Sequence, residues 1–301
     1  MTKFRFPDLY FNHSYMRKIW FPCLLLISII SCQKELSIED GGVVSPGQPS
    51  LGNNCKVNQI ISADSLTGKG LFSIFTRFNS LGIADKVEVF DSIQSALQFE
   101  ANLKYIGDTI RLSPTDYFLL DANKRVKRFQ TIEFSATTSD SDTLTYVYNY
   151  DGNGYLVNKE ISVSGIPVPV LRFRYTWSGL NLVAVDGSVA IPGINQKVLT
   201  ATLEYEPILT AKNFIHILPD GFETSLYIMG LDLGKKSRNL VKKTTVTVYD
   251  DSGNVRDVYT ATYGNYKFSA DGYLLEWFVS GGDTNVLPFQ NGRNLFKYFC
   301  R

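Results

Sequence analysis

Leu144-Thr145-Tyr146-Val147-Tyr148-Asn149-Tyr150-Asp151-Gly152-Asn153-Gly154-Tyr155-Leu156 decides the fold. Its first half alternates. Leu144, Tyr146, Tyr148 and Tyr150 fall on one side of an extended chain, with Thr145, Val147 and Asn149 on the other. Period two marks a strand with one buried face, and aromatic and β-branched residues suit that half-buried pleated surface. The second half, Asp151 to Gly154, is turn chemistry. Asp and Asn accept local backbone hydrogen bonds, and Gly supplies positive φ. A strand, a tight reversal and a second strand from Tyr155-Leu156 are expected.

The same grammar extends in both directions. Leu171, Phe173, Tyr175 and Trp177 alternate with Arg172, Arg174 and Thr176. Turn signals stand at Asn79 to Gly82, from Asp121, at Trp177 to Gly179, Asp250 to Gly253 and Ala270 to Gly272, each leading into a strand-like stretch such as Lys86-Val87-Glu88-Val89 or Arg125-Val126-Lys127-Arg128-Phe129. The turns at Asn79, Asp121, Asp151 and Trp177 begin roughly 26 to 42 residues apart, an irregular repeat of one hairpin per unit. Two units, at Tyr150 and Tyr249, read Tyr-Asp-x-x-Gly-x-Leu/Val, and Phe268 to Leu274 keeps the spacing with Ser269 in place of Asp. Pro219 to Lys243 breaks the pattern and predicts a short helix and a loop; a weaker helical signal lies over 92–100. Long crossover helices are missing, so a parallel sheet is not expected. The expected fold is mainly β: an antiparallel meander of hairpins over 55–301, forming a twisted, curled sheet or open barrel, with one short helix or long loop near 219–243.

Of 301 residues, 44% are hydrophobic and 13% aromatic, enough for a sizeable core and unlike the composition of disordered chains. Thirty basic and 29 acidic side chains give no strongly basic face for nucleic acid, so no nucleic-acid partner is expected.

Met16-Arg17-Lys18, then a mostly apolar run from Ile19 to Ile30, then Ser31 and Cys32, form a secretory signal over 1–31. Met16 can serve as its start. Ile29-Ile30-Ser31-Cys32 resembles the bacterial lipobox, in which the Cys thiol is acylated and becomes the new N-terminus. Loss of residues 1–31 leaves 26 basic and 28 acidic side chains. Gln33 to Asn54 is rich in Gly, Ser and Pro and reads as a flexible tether, spanning roughly 25 Å as a coil and ~70 Å stretched. No later stretch approaches 18 uninterrupted apolar residues.

With Cys23 in the signal and Cys32 carrying lipid, Cys55 and Cys300 remain at the two ends of the body. In an oxidising compartment one pair has one connectivity, so a Cys55–Cys300 disulfide is expected to tie the first strand to the last.

The lipobox, the tether, the terminal Cys pair and the Tyr150-Asp151-x-x-Gly154-x-Leu156 units together resemble YD-repeat-like lipoproteins of the Bacteroidota, a group of unknown function. Gly234 to Lys242 is similar to a loop before the last hairpins of such proteins. Cys32-Gln33-Lys34-Glu35 resembles the charged stretch after the lipidated Cys that directs such lipoproteins to the cell surface. The resemblance implies an outer-membrane lipoprotein facing outward rather than toward the periplasm, and brings no catalytic residues.

Chemistry-bearing constellations are sparse. The mature chain has one His, His216, in Asn213 to Leu218, which reads as a strand-like stretch with a partly buried or cross-strand His. A multi-histidine zinc site is excluded, and no HExxH or Gly-x-Ser-x-Gly is present. Gly230 to Ser237 lacks the phosphate-loop spacing, and Asp140-Ser141-Asp142 and Asp250-Asp251 lack that of a calcium loop. No cofactor and no metal are expected. Lys235, Lys236, Arg238, Lys242 and Lys243 form a basic cluster able to meet lipopolysaccharide phosphates or an acidic glycan. Trp177 and Trp277 could stack on sugar rings, although both fall on the alternating face that makes the core.

The expected function is a membrane-anchored, non-enzymatic binding or scaffolding lipoprotein with a glycan or envelope protein as partner. The alternative is an extracellular glycan hydrolase with Asp/Glu catalysts.

Overall fold

The computed structural model describes residues 55–63, 70–91, 96–134, 141–207, 211–212, 216–219, 223–281 and 291–300. The signal, Cys32, the tether and Asp140 lie outside the described residues.

The strands in chain order are β1 (Cys55–Ala63), β2 (Gly70–Phe78), β3 (Ala84–Asp91), β4 (Ala96–Asn102), β5 (Lys104–Ile106) and β6 (Thr109–Arg111). Then come β7 (Tyr117–Leu120), β8 (Val126–Phe134), β9 (Ser141–Tyr150), β10 (Leu156–Val163), β11 (Leu171–Ser178) and β12 (Asn181–Val189). They continue with β13 (Lys197–Tyr205), β14 (Val241–Tyr249), β15 (Val255–Phe268), β16 (Leu274–Ser280) and β17 (Gly292–Cys300). Among the described residues one helix, α1 (Glu223–Ile228), falls between β13 and β14. The segment Ala96–Asn102 is strand, not helix: Ala101 and Leu103 point inward from a ladder with β3, and that pairing overrides the weak helical signal.

Among the described residues every ladder is antiparallel and joins neighbours in sequence, save that β17 pairs with β1. The result is one curled sheet of meander hairpins. It is not closed: β4 pairs with β3, β5 pairs with β6, and the two follow one another through Leu103 without a ladder between them. Cys55 faces Cys300 in the β1–β17 register, and the two are joined by a disulfide, with Cα atoms 4.0 Å apart.

The alternation read from Leu144–Tyr150 is the sheet's own. Leu144, Tyr146 and Tyr148 are buried, while Thr145 and Val147 are half-buried and Asn149 is exposed. The concave side is packed solid with Phe118, Phe129, Tyr146, Phe173, Val246 and Trp277 among others. At Gly187 a side chain would meet the Phe173 ring at 2.7 Å, so only glycine lets that ring lie across β12. The convex side carries Arg128, Arg174, Asp186, Thr202 and Lys297, all exposed.

The turns work as their residues require. Asp151 accepts from the Asn153 and Tyr155 amides at 3.0 and 2.8 Å. Asp121 does the same for Asn123 and Arg125, Asp250 for Ser252 and Asn254, and Asn79 for Leu81 and Ile83. Asp250 therefore holds a hairpin. Because the meander alternates direction, the turns at Asn79, Gly107, Asp121, Asp151, Gly179 and Gly272 gather at one end, together with Cys55 and Cys300. Asp250 turns the chain at the other end.

Candidate functional site at the plugged end

Residues 206–240 join β13 to β14, which are already neighbours. A two-residue turn would have sufficed. Instead its described parts cross the end of the sheet and bond to the turns they pass. The Lys212 amide donates to Gly272 O, the Lys235 amide to Gly154 O and the Arg238 amide to Leu180 O, at 2.9, 2.9 and 3.0 Å. All three acceptors have positive φ, the conformation that presents their carbonyl to the crossing segment. The Val126 amide donates to Asp232 O at 2.7 Å, Thr76 Oγ1 to Ile228 O at 2.6 Å, and the Leu182 amide to Ser237 Oγ at 3.0 Å. Leu218, Leu226, Leu233 and Leu240 fill the end of the core, so the segment is a plug.

Gly234 shows how closely the plug fits. Its φ is +87°, and a side chain there would meet Gly154 O at 2.5 Å and the Tyr150 ring at 2.9 Å. Helix α1 adds an internal anchor. Lys159 Nζ of β10 lies 2.9 Å from Glu223 Oε1, both fully buried. The Tyr148 hydroxyl donates to the same oxygen at 3.3 Å, and the ammonium stands over the Phe173 ring.

The plug and two turns build a ladder of rings. Lys235 Nζ stands 5.2 Å from the Tyr155 ring, Tyr155 lies 4.6 Å from Trp177, and Trp177 stacks 5.7 Å from His216. His216 then meets Tyr227 edge-on at 5.7 Å, and Lys236 Nζ stands 5.2 Å from Tyr227. The ladder runs from the exposed Lys235 to the fully buried His216. Burial, aided by Lys236, pushes the His216 pKa down to about 3, so the imidazole is neutral. Burial lowers Lys236 to about 8, against the pull of Asp232. Burial raises Asp232, whose carboxylate caps the Gly234 amide at 2.7 Å.

The structure brings Lys235, Lys236 and Trp177 together and places Arg238, exposed, beside the Leu180 turn. It separates the others. β14 carries Lys242 and Lys243 away from the plug, and Lys243 lies 3.4 Å from Glu204 of β13. Trp277 is not available to any surface ligand. It is wholly buried, edge-on to Phe296 at 5.1 Å and to Tyr263 at 5.5 Å, because β16 turns it inward with Leu274 and Val279. Trp177 is half-buried and donates Nε1 to Leu156 O at 2.7 Å. His216 belongs to the plug rather than to a strand, which is why it is buried far beyond a cross-strand position. Tyr155 and Tyr227, the remaining rungs, carried only the signal of aromatics beside a turn and in the pattern-breaking segment.

No family model matches the chain, and no curated protein matches it. Among solved structures it is similar to a porin-like protein from Bacteroides uniformis ATCC 8492, at 11% identity and TM-score 0.52, covering 80% of this chain and 96% of that one. It is also similar to a porin-like protein from Bacteroides vulgatus ATCC 8482, at 13% identity and TM-score 0.51, covering 82% of this chain and 99% of that one. At such identity the likeness is one of fold.

Proposed function

We propose that the protein is exported, held at the outer membrane by an acylated Cys32, and presents residues 55–301 at the cell surface as a non-enzymatic binding or scaffolding body. The observation that carries this reading is the polarity of the sheet. Its concave side is a solid apolar core, and its convex side bears Arg128, Arg174, Asp186 and Lys297 in the open. A barrel that spans a bilayer has an apolar outward band, and one Arg or Lys facing lipid at mid-depth costs about 2–4 kcal/mol. A wall of this kind suits a body outside the bilayer, which then needs the anchor that the lipobox and tether supply.

The fold likeness to porin-like proteins of Bacteroides supports an envelope setting. The regular hairpins, with their Asp-led turns, support the resemblance to YD-repeat-like lipoproteins. The exposed Lys235 and Arg238 beside Tyr155 and Trp177 suit the phosphates of lipopolysaccharide, an acidic glycan or an envelope protein. Detergent phase partition of cell extracts tests the anchor. The wild-type chain should enter the detergent phase and Cys32→Ser the aqueous phase. A Cys32→Ser chain that stays in the detergent phase would mean that the body itself is embedded.

A further inference from the structure

We infer that the body makes a second, non-covalent contact with the bilayer: the β2–β3 and β5–β6 hairpin tips, carrying Leu81, Ile83, Tyr105 and Ile106, dip into the lipid surface beside the root of the tether. The inference rests on the lipid-anchored reading above.

These four side chains are 71, 38, 38 and 52% exposed. The two tips adjoin. The Leu103 amide donates to Asp85 O at 2.9 Å, and Ile83 and Tyr105 each stand two residues further toward the same end. Asp85 is also close enough to act electrostatically on the Tyr105 hydroxyl. Turn chemistry does not require these residues. Asn79 already closes its turn through its own side chain, as Asp121 and Asp151 close theirs over polar tips. A contiguous exposed apolar patch marks an interaction surface.

Its position names the occupant. Lys56 Nζ donates to Gly82 O at 3.0 Å, so the Leu81 turn lies against the residue that follows Cys55. The tether to Cys32 begins there. An anchor on that tether keeps this end within roughly 25 Å of lipid, where a high effective concentration lets a weak contact hold. Lys56 and Lys104 flank the patch in the open, while the nearby acids Asp85 and Asp108 are engaged by Arg77 and Lys124. Apolar tips flanked by two lysines suit an interfacial membrane contact.

Vesicle sedimentation tests this with the mature chain from residue 32 carrying Cys32→Ser, which cannot be acylated. The probe is a phosphatidylethanolamine–phosphatidylglycerol vesicle at low ionic strength. The Cys32→Ser chain should sediment with vesicles, and adding Leu81→Ser and Ile106→Ser should cut the bound fraction by about tenfold. Both side chains are exposed, so circular dichroism and the thermal midpoint should not move. A Cys32→Ser chain that ignores vesicles, or binding that survives the two serines, overturns the inference. Binding to vesicle-free, deacylated lipopolysaccharide that is equally lost with the two serines overturns it as well, since the patch would then read glycan. Whether wild-type Cys32 is acylated is settled separately by mass, so failure of the anchor and failure of the patch are distinguishable.

Discussion

The Tyr150 hydroxyl, at the end of β9, donates to the Val126 carbonyl, at the start of β8, at 2.7 Å. The relation recurs around the sheet. Trp177 Nε1 reaches Leu156 O at 2.7 Å, the Tyr205 hydroxyl Leu182 O at 2.6 Å, and the Tyr298 hydroxyl Leu274 O at 2.7 Å. The Tyr266 hydroxyl likewise reaches Val241 O. Each acceptor is a buried apolar residue at the first or second position of one strand, and each donor is an aromatic 21 to 25 residues on, near the end of the next. The hairpin repeat thus has a structural unit: turn, apolar opener, and an aromatic that returns to fasten it.

Removing one fastening should be measurable. Tyr150→Phe keeps the ring under the Arg125 guanidinium, 4.2 Å away, and deletes only the hydroxyl. The expected loss is about 1 kcal/mol, read as a lower urea midpoint with unchanged slope.

The plug's fit gives a sharper contrast. Gly234→Ala forces a methyl against Gly154 O and the Tyr150 ring and should cost about 3 kcal/mol. Gly253 has nearly the same φ and open space around it, so Gly253→Ala should cost only about 1 kcal/mol. Equal losses in urea titrations would mean that the plug yields at no cost.

Much of this architecture was legible beforehand, and the reason is local. Alternation in Leu144–Tyr150 and turn chemistry at Asp151 are properties of a few consecutive residues, so strands and turns could be read in place. The plug was visible only as a break in the pattern after Pro219. Its role depends on contacts such as Thr76 with Ile228, 152 residues apart, that no local rule reports. The same distance effect hid His216, whose rungs come from two turns and a helix. Trp277 was ambiguous because period two assigns a face and not a depth. The aromatic fastenings did leave a trace, an apolar opener and a Tyr or Trp at a recurring spacing, which the irregular turn-to-turn distances obscured.

The buried Lys159–Glu223 pair should behave as a unit. Glu223→Gln leaves a fully buried ammonium beside a neutral amide and should cost about 3–5 kcal/mol. Lys159→Met with Glu223→Gln should recover part of that loss. A double-mutant cycle with no coupling energy would contradict the anchoring role of α1.

Stability should fall below about pH 6.5 and above about pH 10, and between them should rise from about pH 8 as Lys236, held at about 8 in the fold, sheds its proton before the unfolded chain does. On the acid side, His216 has a folded pKa near about 3, below its unfolded value, so its contribution is present above about 6.5 and fades as pH falls toward 3. On the alkaline side, burial raises Tyr263 to about 12. Its contribution is full below about pH 10 and is lost as pH climbs through 12. His216→Phe should flatten the acid limb from pH 6.5 downward and leave the alkaline limb in place, as checked by urea midpoints across pH.

Reduction of Cys55–Cys300 frees a loop closed over 245 residues of sequence. The chain-entropy model sets an upper limit of about 5 kcal/mol for its contribution. Thermal melts of Cys55→Ser/Cys300→Ser should fall well below wild type, and reductant should lower the wild type toward the variant.

In the function proposed here, lipid at Cys32, and not the strands, holds the body at the envelope. The most direct measurement is the mass of the N-terminal peptide of the mature protein purified from its own membranes. The expected result is a chain beginning at Cys32 and carrying acyl chains. A mature chain beginning elsewhere, or at Cys32 with a bare thiol, would contradict it.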